Sequence, residues 1–200
     1  MNEIAETPTP SGTRSAPYGA RALDRTVVLV GLMGAGKSCI GRRLAARLGV
    51  AFIDADAEIE QAAGCSIAEI FEKYGEPYVR DGERRVMSRL LHGAPSILAA
   101  GGGAFMDPDT RALIGARAIS IWLKADLDTL SLRTKGRTHR PLLNGGDPRE
   151  VLGRLIDARY PVYEQAVITV ETGHDNPTVT CLRVLSAIET FLGMTLLTKD

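Results

Sequence analysis

With 200 residues the chain is long enough for one domain with a buried core and crowded for two. Its 24 basic residues are matched by 24 acidic ones, which argues against coating nucleic acid or an anionic membrane; 44% apolar and 24% charged residues are ordinary for a soluble globular protein. Cys39, Cys65 and Cys181 are odd in number and widely spaced, so neither a disulfide framework nor a zinc site is expected, and a reducing, cytoplasmic compartment fits.

Residues 1 to about 23 are rich in Pro, Thr, Ser, Gly and Ala without periodicity, and are expected to form a disordered tail before a folded domain at 24–200. Glu3, Glu6 and the lack of an apolar stretch there argue against a leader or transit peptide. No apolar run reaches the ~18 residues of a membrane span. At Thr26 the pattern changes. Thr26-Val27-Val28-Leu29-Val30 is an unbroken apolar run, as a strand buried on both faces of a parallel sheet requires. A glycine-rich turn follows, and then Ile40, Leu44 and Leu48 recur at helical spacing up to Gly49. Ala51 to Ile53 is a second strand. Residues 57–92 read as mostly helical, with breaks near Gly64 and at Gly75 to Pro77. Ser96 to Ala99 is a third strand, Asp107-Pro108 opens a short helix, and Ala118 to Leu123 is a fourth strand. A helix from Asp126 to Arg133 leads into a polar stretch, Thr134 to Asp147. A helix from Pro148 to about Gln165, a strand from Val167 to Val170 and an amphipathic helix from about Thr178 complete the chain. Strands alternating with helices define an α/β fold, a parallel sheet with helices on both faces, whose strand order this pattern leaves open.

Gly31-Leu32-Met33-Gly34-Ala35-Gly36-Lys37-Ser38 fits the phosphate-loop pattern G-x-x-x-x-G-K-[ST] at every required position, with a buried strand before it and an amphipathic helix after. Glycines let the backbone wrap a phosphate closely. The N–H groups around Gly34, Ala35 and Gly36 form an anion nest at the positive end of the next helix. Lys37 can reach the β- and γ-phosphates, and the Ser38 hydroxyl can ligate Mg²⁺. Asp54 and Asp56, in Phe-Ile-Asp-Ala-Asp, end the second strand at the sheet edge where open α/β folds bind ligands. Asp54 can hold a water of a Mg²⁺ shell, and Asp56 can orient or deprotonate an acceptor hydroxyl. Turn or helix-capping aspartates are the plainer alternative for the pair.

The phosphate loop, the Asp54/Asp56 segment, Gly75-Glu76-Pro77-Tyr78-Val79-Arg80, Gly101-Gly102-Gly103 and Arg140-Pro141-Leu142-Leu143 occur in an order and spacing that resembles the shikimate kinases, over roughly residues 26–192. The resemblance implies a three-layer P-loop fold like the nucleoside-monophosphate kinases, with a five-stranded parallel sheet ordered 2-3-1-4-5 and a mobile lid at about 133–147. It implies transfer of the ATP γ-phosphoryl group to the 3-hydroxyl of shikimate with Mg²⁺, with Lys37, Asp56 and Arg140 catalytic; a monomer is the default expectation, independent of the resemblance. Ser38 and Asp54 would serve the metal. Asp56, Arg80, Gly101, Gly102, Gly103 and Arg159 would contact shikimate. Gly34 to Cys39 would cradle ATP, Arg140 would reach its phosphates from the lid, and Arg133 with Asn176 and Pro177 would lie near adenine. The chemistry suits these roles: the planar arginine fork matches a carboxylate, and phosphoryl transfer asks mainly for positioning and charge neutralisation.

Three positions depart from the pattern. Cys39 follows Ser38 where many P-loop kinases have threonine, giving a weaker hydrogen bond to phosphate and either a redox-sensitive thiol or a quietly packed one. Val79 precedes Arg80 in place of an aromatic residue, and Asp175 stands where a basic residue would help hold the nucleotide. A kinase for another polyol acid or a nucleotide, and a regulatory module that binds nucleotide without transferring phosphate, are the competing readings. Arg80 among Arg84, Arg85 and Arg89 also fits a solvated helix face.

Overall fold

The first strand, β1 (Thr26–Val30), is buried at all five positions, and the reason is its place at the centre of a sheet. The computed structural model describes residues 20–135 and 147–199. Its strands β1, β2 (Ala51–Asp54), β3 (Ser96–Ala99), β4 (Ala118–Lys124) and β5 (Ile168–Glu171) form one sheet in the order β2-β3-β1-β4-β5, every pairing parallel. This is the order the resemblance implied. The inner strands read as near-continuous apolar runs, whereas edge strand β5 alternates buried and exposed positions.

Among the described residues the helices are α1 (Lys37–Leu48), α2 (Ala55–Ala63), α3 (Ile67–Tyr74), α4 (Glu76–Leu91), α5 (Pro108–Arg117), α6 (Leu127–Thr134), α7 (Pro148–Tyr163) and α8 (Pro177–Leu192), with a 3-10 turn at Ala104–Met106. Most start where the sequence supplies a side-chain cap. Asp54, Ser66, Asp107, Asp126, Asp147 and Asn176 each accept a backbone N–H of the helix that follows. Ser66 and Glu69 form a reciprocal capping box. The long helical stretch after β2 divides at Gly64 and Gly75, both with positive φ. No described helix is long and apolar enough to cross a membrane.

The folded region begins earlier than the composition suggested. Arg21, assigned above to the tail, pairs with Leu196 through Arg21 N–H to Thr195 O at 3.0 Å and Leu197 N–H to Arg21 O at 2.8 Å, and Leu23 is buried. The partner lies at the far end of the chain, so no local pattern around Arg21 signals it.

Because β1 has β3 on one side and β4 on the other, its carboxyl end is the switch point of the sheet, where chain segments diverge and leave a crevice. Helix α1 closes tightly on the face below: a methyl group added at Gly41 would stand 2.5 Å from the Phe52 ring and 3.2 Å from Leu29 Cδ1. Gly41→Val should therefore lower stability by about 1–3 kcal/mol through overpacking. Urea unfolding measures it, and an unchanged midpoint would mean that α1 lifts from the sheet at no cost.

Candidate active site

The carboxyl end of β1 runs directly into the phosphate loop. Gly34 (φ 86°) and Gly36 (φ 100°) adopt left-handed conformations there, and α1 begins at Lys37. Side chains bind several of the loop's carbonyls. Arg133 donates one guanidinium N–H to Gly34 O at 3.3 Å and another to Gly173 O, so α6 and the segment after β5 brace the loop together. The buried Thr172 hydroxyl donates to Ala35 O at 3.3 Å. Lys37 Nζ donates to Gly31 O at 2.8 Å and Leu32 O at 3.2 Å. With the Gly34 and Ala35 carbonyls drawn toward Arg133 and Thr172, the Ala35 and Gly36 N–H groups of the same planar peptides turn the other way, which is how a nest for an anion is made.

Ser38 Oγ donates to Asp54 Oδ2 at 2.8 Å, so the end of β2 meets the start of α1. The other Asp54 oxygen accepts Asp56 N–H at 3.3 Å and caps α2. The capping reading of Asp54 and its place beside Ser38 are therefore both true, one oxygen each. This hydroxyl and carboxylate are hard oxygen donors that fit Mg²⁺, which keeps most of its shell for water and phosphate. Among the described residues no three His, Cys, Asp or Glu side chains cluster as an all-protein metal cage. Cys39 is exposed, with Sγ 3.0 Å from Arg43 NH1, so it is not packed into the core.

Opposite the phosphate loop a second pocket gathers residues from α2, α4, α7 and the loop after β3. Arg80 donates to Glu83 Oε2 at 2.6 Å and, through Nε and NH2, to Glu76 Oε1 at 3.2 and 2.8 Å. Its neighbours behave differently: Arg84 and Arg85 pair with Asp81, and Arg89 with Glu58, all at the surface. Only Arg80 of that run turns inward. Arg159 NH1 donates to Gly102 O at 2.8 Å, and Tyr163 donates to the same oxygen at 2.6 Å. The glycines are needed for room. A methyl at Gly101 would sit 2.5 Å from Asp56 Oδ1 and 3.1 Å from Glu83 Oε1; at Gly102, 3.0 Å from Arg159 NH1; at Gly103, inside the Arg80 guanidinium.

The Asp56 side chain opens onto the cleft, yet protein surrounds it on its other sides. Loss of water is the main influence on its carboxyl; Lys37 pulls the pKa down, and Asp54, Glu83 and Glu60 push it up. The result is a carboxyl raised from 3.8 to about 6. Glu83, only 7% exposed, was not singled out from the sequence, although its three-residue spacing from Arg80 on one helix face was the available signal. Tyr163 and Thr172 were missed as well, because their partners lie far away in the chain.

Near the proposed adenine side, Asn176 spends its side chain capping α8, accepting Thr178 N–H at 2.9 Å, and Pro177 opens that helix. Asp175 is bound to Arg183 at 2.7 Å, so its charge is answered locally. Arg140 and lid residues 136–146 lie outside the described residues.

One half of the crevice is thus shaped for a polyphosphate, and the other, across the same sheet edge, for a small anion with hydroxyls. A fold that brings these two within reach of each other is a small-molecule kinase of the P-loop class. Its family follows from comparison: the family model for shikimate kinase matches residues 33–189, and the chain belongs to that family. It is 56% identical over 181 residues to the shikimate kinase of Paramagnetospirillum magneticum, covering 90% of this chain and 93% of that one. It is 54% identical over 164 residues to the Caulobacter vibrioides (strain NA1000 / CB15N) enzyme, covering 82% of each. Among solved structures, the shikimate kinase of Acinetobacter baumannii in complex with shikimate superposes with a TM-score of 0.81 at 34% identity, covering 86% of this chain and 95% of that one.

The raised Asp56 pKa has a cost for the fold. Between about pH 4 and 6 the folded chain keeps a proton that the unfolded chain has released, so stability falls as pH rises through that window. Asp56→Asn should therefore raise the melting temperature at pH 7–8 and leave it nearly unchanged at about pH 4. Equal melting temperatures of variant and parent at pH 8 would refute the burial account of Asp56.

Proposed function

We propose that the chain transfers the γ-phosphoryl group of ATP to the 3-hydroxyl of shikimate, giving shikimate 3-phosphate and ADP in aromatic amino-acid biosynthesis. The observation that carries this reading is the convergence of Asp56, Arg80, Arg159 and the three glycines on one pocket facing the phosphate loop. Membership of the family supports it, and so does the relative solved with shikimate bound.

The roles follow from the chemistry of each group. The phosphate-loop N–H groups and Lys37 take the nucleotide's phosphates, with Arg133 bracing the loop beside the base. Ser38 and Asp54 would hold Mg²⁺, which neutralises charge on the β- and γ-oxygens when bound. Arg80 and Arg159 bind the shikimate carboxylate. Glu76 now occupies the outer edge of Arg80, and the acceptor must displace it there; Glu83 keeps the inner edge fixed. Gly101, Gly102 and Gly103 let the ring approach the backbone. Asp56 orients the 3-hydroxyl and takes its proton. Its carboxyl, raised to about 6, is mostly ionised at neutral pH and is a better base than an ordinary aspartate. Arg140, outside the described residues, would serve the transferring phosphoryl group, as the family resemblance implies. Cys39 lies at the phosphate end of α1, where a thiol binds phosphate less well than a threonine hydroxyl. One chain supplies both pockets, so a monomer suffices, and three free cysteines fit a cytoplasmic location.

A coupled assay with ATP·Mg²⁺ should release ADP only when shikimate is supplied; turnover with another hydroxy acid or nucleotide but not shikimate overturns the proposal. Arg80→Ala should raise KM for shikimate at least about tenfold and leave KM for ATP within about twofold. Asp56→Asn should lower kcat by about 10²–10⁴. In the parent enzyme, log kcat/KM should fall with unit slope below about pH 6, and a profile flat to pH 5 would remove Asp56 as the base.

A further inference from the structure

The two donors that share the Gly102 carbonyl differ in freedom. Tyr163 is 1% exposed and its ring lies between Phe105 and Trp122, with centroids 6.3 and 6.2 Å away, which holds its hydroxyl at Gly102 O with Arg159 beside it. Burial raises its phenol pKa, which keeps it a donor at any working pH. Arg159 sits one helical turn earlier on the same face of α7, half-buried, with its guanidinium at the rim of the acceptor pocket. A carbonyl oxygen has two lone pairs, and here both are in use.

We propose that Tyr163 is a positioning residue that makes Arg159 exchangeable: by holding the Gly102 carbonyl permanently, it lets Arg159 leave that oxygen for the substrate carboxylate without stranding it. The inference rests on the assignment of Arg159 to the carboxylate. Without the phenol hydroxyl, Arg159 becomes the only side-chain donor to Gly102 O among the described residues. Drawing it onto shikimate then leaves a half-buried carbonyl unpaired, which costs on the order of tenfold in binding. A tyrosine that merely shaped the glycine loop would impose its effect whether or not Arg159 were present.

The test is a double-substitution cycle on the full chain, read as kcat/KM for shikimate at low concentration, KM for ATP and melting temperature. Tyr163→Phe should lower kcat/KM for shikimate about tenfold, with KM for ATP within about twofold. In an Arg159→Ala background the same substitution should change it less than about twofold, because no arginine remains to exchange. An equal loss in both backgrounds, or no loss in the parent background, overturns the exchange. If Arg159→Ala alone leaves kcat/KM for shikimate at the parent value, the carboxylate assignment fails and the proposal falls with it. Parent enzyme that ignores shikimate would instead fault the functional reading itself.

Discussion

The structure depends on one constraint: a planar peptide cannot offer its carbonyl and its N–H to the same side. The phosphate loop offers N–H groups to a ligand only if something else holds its carbonyls away. Arg133 and Thr172 do that for Gly34 and Ala35, and they come from α6 and the residue after β5. The parallel sheet is what makes this possible. Every strand delivers its carboxyl end to one edge, so segments distant in sequence reach the same loop. The buried strand β1 fixes where that edge lies.

The same logic recurs across the crevice, with side chains in place of the loop. Arg80 has an inner glutamate that is buried and an outer one that is exposed, and Gly102 has a buried phenol and a half-buried guanidinium. In each pair one partner is fixed and one can yield. A pocket of this kind is ordered before its ligand arrives and gives up few hydrogen bonds when it does. Asp56 completes it at a thermodynamic disadvantage: a carboxylate open to the cleft but crowded by protein and by other acids weakens the fold at neutral pH and gains basicity in return.

What could be read from the sequence was what is local. The phosphate loop, β1, the helix breaks and the caps are signalled within a few residues of where they act. The sheet order came from likeness to a family rather than from periodicity, which does not encode it. The misjudged boundary at Arg21 and the unnoticed Glu83, Thr172 and Tyr163 share a different cause. Arg21 depends on Thr195 and Leu197, Thr172 on Ala35, and Tyr163 on Gly102, contacts that tertiary folding alone creates. Glu83 was close enough to see, but one acid in a charged helix carries no mark of burial. Asn176 shows the converse: placed near adenine by analogy, it is also the cap that starts α8.

The three glycines after β3 carry a last implication. The atoms an added methyl would meet there belong to the heads of Asp56, Glu83, Arg159 and Arg80, not to the backbone. The Arg159 head beside Gly102 can swing aside, whereas at Gly101 and Gly103 the obstacles are Asp56, the buried Glu83 and the Arg80 bound to it, so alanine is tolerated by the fold at Gly102 more readily than at its two neighbours. A survey that scores variants by abundance or solubility would pass Gly102 as permissive, and a growth requirement for the product is the screen suited to reveal it.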